Sequence, residues 1–306
     1  MVTVKRSVVK TGGKPSTTNT RVSTRVSSST RQRVIDDEMD LSIPDGPVPV
    51  SKTLATAAIY LYGESGIGKT EFSSKFPKAI HMMFEPGAEW LQIPRIPRQG
   101  QFVHWAQYDK AIDNLIGSGK YDNVIHDTAD FAWDLCAQDI YEAAGEADIN
   151  SGKLGYNVGN KRHVATFRKA ILKITGSGRG AMFISHSKYE EFEKVTGIKS
   201  TKMIGYTEKR GREFLDGFCD LVMCYTYVNG ERYLIIRGSD NVFAKCRIPD
   251  HFLTPDGEQV FAIPMGDSAD ESYANFMAAY NNKQDDPCIL NRVPELSTRK
   301  AKWKVK

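Results

Sequence analysis

The chain has 306 residues, of which 41% are hydrophobic and 25% charged, and its formal net charge is +4. That length and composition suit one large α/β domain with extensions. They exclude a membrane-spanning protein, because no stretch approaches the roughly 18 consecutive apolar residues that a span requires. The basic N-terminus has no apolar run behind it, so no secretory signal is expected. Cys136, Cys219, Cys224, Cys246 and Cys288 fall at irregular spacings with no CxxC pair. They read as reduced thiols packed as small hydrophobes in a cytoplasmic protein.

The net charge hides an asymmetry. Residues 1–33 carry eight Lys or Arg and no acid, and residues 299–306 carry five. Removing those +8 and +5 from the net +4 leaves the middle at −9. Basic ends serve either a polyanion partner or solubility, and the sequence leaves both open. Residues 1–50 are basic, then acidic (Asp36, Asp37, Glu38, Asp40), then punctuated by proline. So few apolar side chains cannot offset the ordering entropy, and this arm is expected to be disordered when unbound. The organisation expected is an arm over 1–50, a folded core over 51–283 and a basic tail over 284–306.

Along the core, residues 57–62 form an apolar run of strand length, followed by a glycine-rich loop and a helical segment to Phe76. A second strand is expected at 79–84. Apolar residues at 108, 111, 112, 115 and 116 predict a helix over 105–117. A short strand over 122–127 precedes a helix over 131–144. After a polar stretch at 145–159 comes a helix with Val164, Phe167, Ile171 and Leu172 on one face. The strand at 180–186 leads into a long charged loop. Residues 219–228 and 231–237 flank Asn229-Gly230, the signature of a hairpin with a type I′ turn. A last helix is expected near 272–280. Alternating strands and helices give a mostly parallel sheet flanked by helices, with an antiparallel hairpin extension at the C-terminal end.

Gly63-Glu64-Ser65-Gly66-Ile67-Gly68-Lys69-Thr70 matches G-x-x-x-x-G-K-[ST] in full, between an expected strand and an expected helix. Glycines let backbone amides wrap around phosphate at a helix N-terminus. Lys69 is expected to reach the β- and γ-phosphates of ATP, and the Thr70 hydroxyl to ligate Mg2+. Hydrolysis needs a carboxylate at the metal and a group that orients water. Asp127 ends an expected strand of the same sheet and is the metal candidate, although His126 interrupts the apolar run before it. Its alternative role is an acidic N-cap for the following helix. Glu85, in Phe84-Glu85-Pro86-Gly87, is the candidate for activating water, with Glu89 as competitor. His186 ends the strand at 180–186, where a polar group can sense the γ-phosphate.

These pieces, in this order over residues 55–250, resemble the RecA-like P-loop ATPases. The likeness is greatest to small phage nucleotide-binding proteins regarded as core-only RecA relatives that anneal single-stranded DNA. The resemblance implies that Glu85 occupies the catalytic glutamate position, Asp127-Thr128 the Walker B position and His186 the sensor position. It also implies that Lys245 and Arg247 reach the ATP of a neighbouring subunit, with Arg in place of the second Lys of that family's Lys-x-Lys segment. Single-stranded DNA is the implied partner, with self-association through ATP at subunit interfaces and a single-strand-binding protein as a further partner. The cytoplasm would then be that of a bacterial host.

Two mobile loops contact DNA in such proteins, and here they correspond to 145–161 and 187–212. The second carries Lys188, Lys194, Lys199, Lys202, Lys209, Arg210 and Arg212, interleaved with Tyr189, Phe192 and Tyr206. Charges of that kind track phosphates and rings stack bases. Two other classes share the P-loop: a nucleotide or small-molecule kinase, in which 187–212 would be an arginine-bearing lid, and an ATP-switched loader without DNA-stimulated turnover.

Overall fold

The computed structural model describes residues 42–48, 50, 52–193, 197 and 199–288. The chain divides into two units, Met1–Ser51 and Lys52–Lys306. The described residues of the first unit carry no helix or strand. The expectations placed on residues 1–41 and on the tail from 289 onward lie outside the described residues.

The second unit is built outward from β1 (Ala58–Gly63), a strand buried along its whole length. Ala58, Tyr60 and Tyr62 enter one core, and Ile59 and Leu61 enter the other. A central strand covered on both faces is apolar at every position, which is why this segment reads as a continuous run. β5 (Gly180–Glu193) and β7 (Leu221–Val228) flank β1, both parallel to it. Beyond β5, the strands β4 (Asn123–Asp127), β2 (Ala79–Met83) and β3 (Arg95–Ile96) continue the parallel run. Beyond β7 the sheet turns antiparallel through β8 (Glu231–Ile235) and β10 (Ala262–Pro264). Asn229 and Gly230 both take positive φ, 53° and 93°, as the type I′ turn between β7 and β8 demands. The two-residue β9 (Lys245–Cys246) pairs with the start of β7.

Two helical layers cover the sheet. α1 (Lys69–Ser74) and α6 (Ala269–Tyr280) lie over the Ile59 and Leu61 face, where Phe72, Phe76 and Phe276 pack with ring centroids 5.6–5.7 Å apart. α2 (Trp105–Ser118), α3 (Ala129–Ala144), α4 (Val158–Thr175) and α5 (Lys209–Phe218) supply the other core, around Trp133 and Phe167. Leu172 does not join it. It is 45% exposed, and the buried stripe of α4 runs through His163, Phe167, Ala170, Ile171 and Ile174. One residue past Ile171 is a turn of about 100° around the helix, which carries Leu172 off that stripe.

The largest departure from expectation is 187–212, which is not a loop. β5 continues through Ser187 to Glu193 and pairs antiparallel with β6 (Lys199–Gly205). α5 begins only four residues after β6. The alternation that makes these strands is one of charged and polar side chains, held by cross-strand contacts such as Glu191 with Lys199 at 2.7 Å. Two buried tyrosines tie the base of this arm to β1. The Tyr62 hydroxyl donates to the Met203 carbonyl at 2.9 Å, and the Tyr60 hydroxyl lies 3.0 Å from Thr207 Oγ1.

At the far end, the start of the expected tail packs on the sheet: the Phe261 amide donates to the Pro287 carbonyl. All five cysteines are free. Among the described residues, no helix is long and apolar enough to cross a membrane.

Candidate nucleotide site

β1 ends where Gly63 lies between His186 of β5 and Tyr225 of β7. A Cβ on Gly63 would stand 2.1 Å from the Tyr225 carbonyl oxygen, so only glycine lets the chain leave the sheet there. Gly66 and Gly68 then take φ of +76° and +105°, the left-handed region that other residues avoid. The loop closes on α1 with the Lys69 side chain folded back, its Nζ donating to the carbonyls of Gly63 (2.9 Å) and Glu64 (2.7 Å). Lys69 is only 7% exposed, and burial lowers its pKa, opposed chiefly by the charge of Asp127. A buried ammonium with no carboxylate at salt-bridge distance is poised for an anion.

The Thr70 hydroxyl donates to Asp127 Oδ2 at 2.8 Å. Asp127 is the last residue of β4 and almost fully buried, and burial raises its pKa against the opposing Thr70 hydrogen bond and Lys69 charge. The N-cap of α3 is Thr128, not Asp127, so the carboxylate is not spent on the helix. A hydroxyl and a buried carboxylate in contact form the hard-oxygen pair that suits Mg2+, which keeps its remaining positions for water and substrate phosphate. The residues present fit that ion.

Glu85 follows the end of β2 and borders the same cavity, of about 430 Å3, as Lys69, Thr70, Asp127 and His186. Burial pushes its carboxyl up to about 7, with the His186 charge opposing and Asp127 adding to the rise. Its competitor Glu89 is turned onto the Gly87 amide at 2.9 Å and does not border this cavity. A larger cavity, of about 840 Å3, lies along β3 between Arg95, Ile96 and Leu115. It contains none of the phosphate-binding groups, so size alone does not mark the site.

His186 is held by Asp130, a residue the sequence reading passes over. Asp130 lies in the first turn of α3, 5% exposed. It accepts from the hydroxyls of Ser185 (2.5 Å) and Thr207 (2.6 Å) and from the His186 amide (2.9 Å). His186 Nδ1 stands 3.1 Å from the same carboxylate, and that hydrogen bond raises the histidine pKa. With Nδ1 engaged, Nε2 is the nitrogen left for a ligand. The only local signal for Asp130 is a second carboxylate three residues after Asp127.

Lys245 and Arg247 are not part of this constellation. β9 pairs at Leu221 and Val222, the opposite end of β7 from the P-loop. Lys245 Nζ contacts the Asp216 carbonyl, and Arg247 Nη1 donates to the Gly217 carbonyl at 2.8 Å. Both side chains therefore meet the last turn of α5 in their own chain.

A sequence family described as an AAA domain matches residues 55–248. Among solved structures, a KaiC-like protein from the hyperthermophilic archaeon Pyrococcus horikoshii aligns over 60% of this chain and 80% of its own, with a TM-score of 0.37 and 11% identity. No curated protein matches the chain.

Proposed function

The chain belongs to the AAA-domain family, and from that premise we propose that it is a magnesium-dependent ATPase acting on single-stranded DNA in phage recombination or replication, by annealing or recombinase-type assembly. The observation that carries the ATPase reading is the convergence of Lys69, the Thr70–Asp127 pair and a carboxyl at about 7 on one cavity. The amides of 63–70 receive the β- and γ-phosphates, and Lys69 Nζ exchanges two loop carbonyls for phosphate oxygens. Mg2+, held by Thr70 and Asp127, would neutralise charge between those phosphates. Glu85 takes a proton from water as the water oxygen bonds the γ-phosphorus and the bond from phosphorus to the β–γ bridging oxygen breaks. ADP leaves with that electron pair, and the proton passes from Glu85 to the product phosphate. His186 offers Nε2 to the γ-phosphate, and Asp130 fixes its ring.

The DNA reading is supported beside the first turns of α3, where His163 and Gly211 pack on Trp133. The first turns of α4 and α5 meet at a cavity of about 360 Å3 walled by Lys161, Arg168 and Arg210, with Arg210 Nη1 donating to Asn160 Oδ1 at 3.1 Å. α4 has no acid in its first turn, while the N-cap Glu208 of α5 accepts from the Arg210 amide at 3.0 Å. Lys161 at the start of α4 adds its charge to that helix dipole, which favours an anion there. Tyr156, fully exposed at the entry to α4, offers a face for a base. The expected outcome is single-strand binding that weakens steeply with salt, with Arg210→Ala reducing the salt slope by about 0.7. Fluorescence anisotropy of a labelled oligonucleotide across a salt series measures this. A slope unchanged by Arg210→Ala removes this cavity from the DNA path.

The kinase alternative asks for free arginines on a lid. Arg212, on α5, is instead buried and paired with both oxygens of Glu190 on β5 at 3.0 and 3.1 Å. For Lys245 and Arg247 the resemblance supplies the role of reaching a neighbouring copy's nucleotide, and their distance from their own P-loop agrees with it. Turnover per chain should then rise with protein concentration in the wild type and stay flat in Lys245→Ala. Steady-state assays over a dilution series decide this, and a wild-type rate independent of concentration counts against assembly through these residues.

A further inference from the structure

We propose that the Thr128 hydroxyl is a water-positioning group, holding the attacking water against Glu85; this rests on the hydrolytic reading of the site. Thr128 is the N-cap residue of α3 and has the extended backbone that position requires, with φ −112° and ψ 161°. A threonine there ordinarily accepts a hydrogen bond from an amide of the first turn. This one makes no cap bond. Its side chain is 1% exposed, and its Oγ1 has no hydrogen-bond partner in the protein. A buried hydroxyl that forgoes its local partner and gains no other is destabilising unless a ligand completes it.

The surroundings say where that ligand sits. Thr128 borders the same cavity as Glu85 and Asp127. Three other hydroxyls nearby are committed, Thr70 to Asp127, and Ser185 and Thr207 to Asp130, while Ser65 on the cavity rim is exposed to solvent. Among these hydroxyls, Thr128 Oγ1 alone is both buried and open, and β-branching restricts its rotation. A hydroxyl both donates and accepts, whereas an ionised carboxylate only accepts. A water that donates one hydrogen to Glu85 and the other to Thr128 Oγ1 keeps a lone pair for phosphorus. In the transition state its first hydrogen passes to Glu85 as described above, while Thr128 keeps its own proton and gains no charge. Thr128 is thus a positioning residue, acting through the water it orients.

Thr128→Val keeps the shape and removes the hydroxyl. The expected result is a kcat lower by about 10- to 100-fold, with KM and the affinity for a non-hydrolysable ATP analogue within about twofold of wild type and a melting temperature equal or higher. Thr128→Ser, which restores the hydroxyl, should recover most of the rate. A Val variant turning over at the wild-type rate overturns the proposal. If Val disturbs the fold, Ala and Ser decide: a Ser variant much faster than Ala supports the role, and equal rates overturn it. Wild type and Glu85→Gln are assayed alongside. Turnover that depends on Glu85 but survives Thr128→Val removes only Thr128, whereas a wild type without Glu85-dependent turnover removes the hydrolytic reading itself.

Discussion

Glu85→Gln is expected to lower kcat by about 10²- to 10⁴-fold while ATP still binds, because the amide fills the same space and cannot take a proton. The wild-type carboxyl stands at about 7, chiefly because burial disfavours its charge. It acts as a base only when ionised, so kcat/KM should fall about tenfold per pH unit below roughly pH 7 and level off above it. The Gln variant should lose that acid limb. Stability moves in the opposite sense. The folded-state value lies above the ordinary 4.5, so the folded chain holds this proton more tightly than the unfolded chain does. The contribution is present below about pH 4.5 and lost as pH rises through about 7. Glu85→Gln should therefore melt higher than wild type at pH 8, with the advantage shrinking toward pH 5. Stopped-time phosphate release and thermal melts across pH measure both effects, and an unchanged kcat would take Glu85 out of the chemistry.

Lys69→Ala is expected to weaken ATP binding by about 10- to 150-fold, the loss of one charge-assisted hydrogen bond of ~1.5–3 kcal/mol to phosphate. Two effects act together. The variant removes the buried ammonium that an anion would neutralise, and it strips the Gly63 and Glu64 carbonyls of the donor that closes the loop. ADP affinity should fall as well, because the lysine is proposed to reach the β-phosphate. Equilibrium dialysis with labelled nucleotide reads the change. A variant that binds ATP like wild type would mean that the loop holds something else.

What the sequence displays about this fold follows from how locally each feature is determined. β1 and its loop are legible because an apolar run, three glycines and Lys69-Thr70 sit within thirteen consecutive residues. The β7–β8 hairpin is legible because Asn229-Gly230 specifies its turn. The β5–β6 arm is not, because its period of two is written in Lys, Glu, Ser and Thr, and charged alternation looks the same in a solvated loop. Asp130 escapes notice for a different reason: its partners Ser185 and Thr207 lie 55 and 77 positions away, and only the sheet brings them together. Thr128 looks like an ordinary helix cap until the missing cap bond is visible. Lys245 and Arg247 lie at the opposite end of β7 from their own P-loop, a placement that their position in the motif order does not reveal.

The most direct test is a titration of the wild-type chain with a fluorescent ATP analogue, with and without Mg2+. Saturable binding of one nucleotide per chain, tightened by the metal and displaced by unlabelled ATP, is the result that Lys69 and the Thr70–Asp127 pair around one cavity predict. A chain that takes up no nucleotide, or takes it up indifferently to Mg2+, would contradict it.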